Sequence, residues 1–121
     1  MDELVFIGSS RNDLREFPDE VQDEMGHALY LVQLGSKPGS AKPLKGHHGA
    51  SVLEIVEDFD SDTFRAVYTV RLAGRVYVLH CFQKKSAQGI KTRQRDIELI
   101  RSRLRTAEEI HKTWLEKNNQ K

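Results

Sequence analysis

The stretch "FRAVYTVRLAGRVYVLHCF", Phe64 to Phe82, decides the fold. Its first half alternates. Phe64, Ala66, Tyr68, Val70 and Leu72 share one face, and Arg65, Val67, Thr69 and Arg71 share the other. A period of two residues is that of a strand with one face on a core. Ala73-Gly74 then gives a tight hairpin. The run from Val76 to Phe82 is apolar on both faces, which predicts a central strand.

Upstream, Ser51 to Asp58 also alternates, with Leu53 and Ile55 opposite Glu54, and Asp60 to Asp62 is a polar turn. These residues predict a third antiparallel strand. Ser36 to Gly49 contains Pro38, Gly39, Pro43, Gly46 and Gly49 and reads as loop. Before it, Val21, Met25, Ala28, Leu29 and Val32 follow helical spacing between Pro18 and a C-capping Gly35. Leu4 to Ile7 reads as a first strand, and Ser9 and Ser10 open a helical turn containing Leu14 and Phe17. Downstream, Thr92 opens a long helix whose stripe is Ile97, Ile100, Leu104, Ala107, His111 and Trp114. The expected class is α+β: a small, mostly antiparallel sheet, helices packed on one face, and a long C-terminal helix.

The chain has 121 residues and one cysteine, Cys81. That length suits a single domain, 1–121, and excludes an intrachain disulfide. The acidic start "MDELVFIGSS" lacks a basic leader, and no apolar run approaches the roughly 18 residues of a membrane span. A soluble, cytoplasmic protein is expected. Net charge is +1, but the ends differ. Residues 1–34 carry eight Asp or Glu against two Arg, and residues 84–105 carry eight Lys or Arg against two Asp or Glu. Such polarity suits a polyanion surface. It suits equally well a helix whose outer face is basic.

With the helices over Phe64 and Tyr68, the opposite face would present Arg65, Thr69, Arg71 and Glu54. Lys84 and Lys85 stand at the end of the third strand, and Lys45, His47 and His48 at the entrance to the first. Arginine binds two phosphate oxygens together, lysine stabilises a developing dianion, and a carboxylate or imidazole moves protons. Metal-free RNA cleavage through a 2′-hydroxyl needs that set. Each piece also has a plainer reading as solvated strand face, edge guard or loop. No metal or cofactor is expected: His80 and Cys81 are adjacent on a strand and point to opposite faces. Cys81 reads as a small buried hydrophobe.

Phe64 to Ala107, "FRAVYTVRLAGRVYVLHCFQKKSAQGIKTRQRDIELIRSRLRTA", resembles the phage-derived HigB-like toxins of the RelE/ParE superfamily. The resemblance rests on Arg65 and Tyr68 in one strand, a hairpin, an apolar strand ending in "FQKKS", and a "DIELI…RL" helix. "PLKGHHGASVLEIVED" is similar to the segment leading into the family's first hairpin strand. Arg93 stands where the family often has proline. Residues 108–121 lie outside the resemblance and are expected to extend the helix and fray.

The resemblance implies a RelE-like toxin of a type II toxin–antitoxin system, acting as a metal-independent, ribosome-dependent mRNA endonuclease. It implies a helix-turn-helix (HigA-like) antitoxin as partner. It implies that Arg65 contacts the scissile phosphate and that Lys84 and Lys85 bind phosphate or ribosomal RNA, and it assigns no base. Glu54 as a catalytic candidate, and Lys45, His47, His48 and Arg71 as substrate contacts, rest on the residue pattern of the sheet face alone. Two alternatives stay open: a non-enzymatic toxin of the same fold that binds a protein such as gyrase, and a plain RNA-binding module.

Overall fold

The structure, a computed structural model, describes residues 1–44, 51–70, 72–85 (without the side chain of Lys85) and 94–119. Among them the elements run β1 (Glu3–Phe6), α1 (Ser10–Arg15), α2 (Asp19–Gln33), β2 (Ala41–Pro43), β3 (Val52–Phe59), β4 (Asp62–Thr69), β5 (Arg75–Lys85) and α3 (Gln94–Asn118). The sheet order is β1-β5-β4-β3-β2. Only β1 pairs in parallel, against β5, and the other described neighbours are antiparallel. The α+β class, the mostly antiparallel sheet and the long C-terminal helix are those expected. β5 lies between β1 and β4, as an apolar run requires.

Turn chemistry fixes the register. Asp60 and Ser61 take φ of 49° and 70° between the closing pair Phe59 and Asp62, a two-residue hairpin turn whose twist matches the strands. Gly35 (φ 90°) ends α2, where its N–H donates to Val32 and that of Ser36 to Leu31. β2 was not expected. It is a three-residue edge strand, where Pro43 removes no ladder bond that the sheet needs.

Two apolar clusters lie on opposite sides of the sheet. One joins Phe17, between α1 and α2, and Val21, Met25, Leu29 and Val32 of α2 to Ile55, Phe64, Ala66, Tyr68, Val76 and Val78. The other joins Ile97, Ile100, Leu104 and Ala107 of α3 to Ile7, Val52, Val67, Tyr77 and Leu79. The expectation that both long helices share one face is therefore corrected: α2 and α3 cover opposite faces. Tyr77, Leu79 and Val67 cannot remain bare, and α3 removes them from water.

The expected facing of β4 holds at Phe64, Ala66 and Tyr68. The strand ends sooner than its alternation suggests, and Val70 is exposed. At the turn into β5, Gly74 has φ of 92°, and a Cβ there would lie 2.9 Å from Cη2 of Trp114. Gly74→Ala should therefore cost about 1–3 kcal/mol, from left-handed strain and a displaced ring. The urea midpoint measures it, and an unshifted midpoint would contradict this packing.

Candidate functional site

One residue in β5 sets the site. Val67 pairs with His80 but Tyr68 with Val78, so Leu79 is an extra residue, a bulge. Strict alternation would put His80 on the side of Val76 and Val78. After the bulge it turns to the α3 side, while Cys81 enters the α2 side cluster. The Leu79 carbonyl accepts from Arg103 Nη1 at 2.9 Å, and Arg103 Nη2 donates to Ser9 Oγ at 3.0 Å. A cation of the basic helix thus ties α3 to the bulge and to α1, a structural role.

Beyond the bulge, the α3 side of the sheet carries Glu54 on β3, Arg65 on β4, and His80, Phe82 and Lys84 on β5. In register, Arg65 lies beside Phe82, Lys84 beside Thr63, and His80 beside Val67. Arg65 Nη1 donates to Glu54 Oε1 at 2.6 Å. Lys42 Nζ stands 3.9 Å from the same oxygen, and its side chain is half-exposed. His80 stacks on Phe82, centroids 4.6 Å apart, and its Nε2 meets Asp96 Oδ1 in the first turn of α3 at 2.8 Å. A carboxylate accepts only, so Nε2 carries the hydrogen of this bond.

The expected open face is not open here. Arg65 points away from the α2 cluster but is 7% exposed, Glu54 is 3% exposed and Lys84 5%. α3 covers part of this side, and the close Glu54–Arg65 pair replaces the hydration that burial removes. Thr69 is buried as well, and its hydroxyl donates to the Ser51 carbonyl. Glu54 and Arg65 are brought into contact, and Lys84 lies on their side of the sheet. Lys45, His47, His48, Arg71 and the side chain of Lys85 lie outside the described residues.

Three members escaped the sequence reading. Lys42 falls in the stretch read as loop, and the His80–Asp96 pair needs the bulge. Among the described residues, Glu54 Oε2, Arg65 Nε and His80 Nδ1 are buried without a hydrogen-bond partner. Buried polar atoms left this way are costly, and such sets recur at functional sites. Cys81 is different: burial, with Asp13 adding and Arg103 opposing, pushes its thiol up to about 12, so it is inert packing.

Residues 12–105 match the family described as phage-derived protein Gp49-like (DUF891). The chain belongs to the Gp49-like family. No curated protein matches it. Gp49-like proteins are a phage-derived, toxin-like family within the RelE/HigB-like toxin superfamily. The Gp49-like match contains every residue of the cluster just described. It leaves out β1, the first two residues of α1 and the part of α3 beyond Arg105. Among the described residues no helix is long and apolar enough to cross a membrane.

Proposed function

We propose that this Gp49-like protein is the HigB-like toxin of a type II toxin–antitoxin pair and cleaves mRNA on the ribosome without a metal. One observation supports the reading most. A chain of a toxin-like family holds Glu54, Arg65, His80 and Lys84 buried along one side of β3–β5, with Asp96 of α3 on His80, and burying each of those four side chains costs desolvation energy.

In the proposed reaction, the 2′-hydroxyl attacks the adjacent phosphorus and the P–O5′ bond breaks. The products are a 2′,3′-cyclic phosphate and a 5′-hydroxyl. Arg65 has spent Nη1 on Glu54, and its remaining donors suit a phosphate. Lys84 adds positive charge to the dianionic transition state. Glu54 and His80 are the groups able to accept the 2′ proton. Lys42, half-exposed above Glu54, marks where this set meets solvent, and RNA would enter from that side. A helix-turn-helix antitoxin lying over this side would neutralise the toxin by covering it.

The test is induced expression with mapping of mRNA 5′ ends, followed by cleavage in a purified translation reaction. Growth arrest should coincide with new 5′ ends inside translated frames. A 2′-O-methyl group at the cut nucleotide should abolish the cut. Arrest without new ends would favour a protein target such as gyrase, and cutting of the 2′-O-methyl substrate would rule out 2′-hydroxyl attack.

A further inference from the structure

We propose that the C-terminal half of α3 is a self-association surface, on which two copies of this chain pack antiparallel about a two-fold axis near Thr113. The buried stripe of α3 runs from Ile97 to His111 against the sheet. Beside it lies a shallow open groove lined by Arg75, Glu109, Ile110, Thr113, Trp114 and Lys117. Apart from Arg75, these residues all lie beyond the Gp49-like match, which ends at residue 105. The surface is therefore independent of the proposed cleavage site.

The groove is built and apolar at its centre. Ile110 is 39% exposed, although most large apolar side chains of the chain are buried. Trp114 is held from behind, with the Arg75 guanidinium 4.4 Å from its ring centroid and its edge against Gly74. Next to it, His111 Nδ1 bonds the buried Tyr77 hydroxyl at 3.0 Å. The wall is thus rigid rather than a frayed helix end. At 100° per residue, positions 109, 110, 113, 114 and 117 fall within an arc of about 140°.

The charges identify the occupant. Glu109 and Lys117 stand at the two ends of the groove, eight residues or about 12 Å apart, with Thr113 midway. Neither has an ion-pair partner in the chain among the described residues. An antiparallel copy turned about Thr113 brings its own Lys117 opposite Glu109 and its own Glu109 opposite Lys117. Two-fold symmetry makes each contact twice, and Ile110, Thr113 and Trp114 close between them. A face whose acid and base are equidistant from one point is complementary to itself. A single helix face lies below the roughly 1,200 Å² of firm complexes, so the dimer should dissociate on dilution.

Trp114 is the chain's sole tryptophan and reports the contact directly. Sedimentation equilibrium should show a monomer–dimer exchange, and dilution should shift the Trp114 emission to the red over the same concentrations. Glu109→Lys and Lys117→Glu should each weaken the dimer on the order of tenfold while leaving helicity and the urea midpoint unchanged. Glu109→Lys combined with Lys117→Glu should restore it. A parent that is monomeric at every concentration, single variants that dimerise like the parent, or a double variant that stays monomeric would each overturn the proposal. None of these readouts depends on RNA cleavage.

Discussion

Arg65→Ala is expected to unfold the protein at markedly lower urea, a loss of about 3–5 kcal/mol. The guanidinium and the Glu54 carboxylate are both buried and meet at 2.6 Å on neighbouring strands. Truncation leaves Glu54 as an uncompensated charge in the sheet, with Lys42 a distant and half-exposed substitute at 3.9 Å. The sequence reading placed Arg65 on bare surface, where its loss would spare the fold. Burial reverses that expectation. The check is a double-mutant cycle. Replacing both members by methionine, at Glu54 and Arg65 together, should recover most of the stability, because two apolar side chains need no partner. An Arg65→Ala protein with the parent's midpoint would mean that water reaches the pair and that its contribution is small.

This reversal separates what the sequence makes legible from what it does not. The alternation of β4 told which side chains share a side, and Phe64, Ala66 and Tyr68 do pack on α2. It could not tell whether the opposite side was bare, because that depends on where α3 lies. A clue was present. Val76 to Phe82 is apolar on both sides, and a strand of that kind is covered from both. Tyr77 and Leu79 are the residues that draw α3 across. The bulge left no such clue. Leu79 differs from its neighbours in no property that a pattern detects, yet it turns His80 toward Asp96. β2 was hidden by Pro38, Gly39 and Pro43, which read as loop although an edge strand tolerates proline. Chemistry-bearing residue types were therefore readable, but their burial and partners were not. Those depend on contacts between residues far apart in the chain, such as Glu54 with Arg65 and His80 with Asp96.

Cleavage should respond to a gentler change at the same arginine. Arg65→Lys keeps a cation beside Glu54, so the fold should survive with a modest loss in midpoint. What disappears is the planar set of donors, including Nε, which has no partner among the described residues. Lysine is a compact charge and cannot hold two phosphate oxygens in one plane. If Arg65 holds the phosphate in the transition state, cleavage by the folded variant should fall on the order of 10²–10³. Lys84→Met should reduce cleavage as well, and in a different way. Any share of its effect that comes from long-range attraction to RNA should fade as salt rises, whereas the Arg65→Lys loss should persist once ribosomes are saturated. The measurement is single-turnover cleavage with excess toxin and ribosomes at two salt concentrations, with the urea midpoint of each variant alongside. An Arg65→Lys variant that is stable and cuts at the parent's rate would confine Arg65 to holding β3 and β4 together. The phosphate site would then have to be sought elsewhere, first at Lys84 and Lys42.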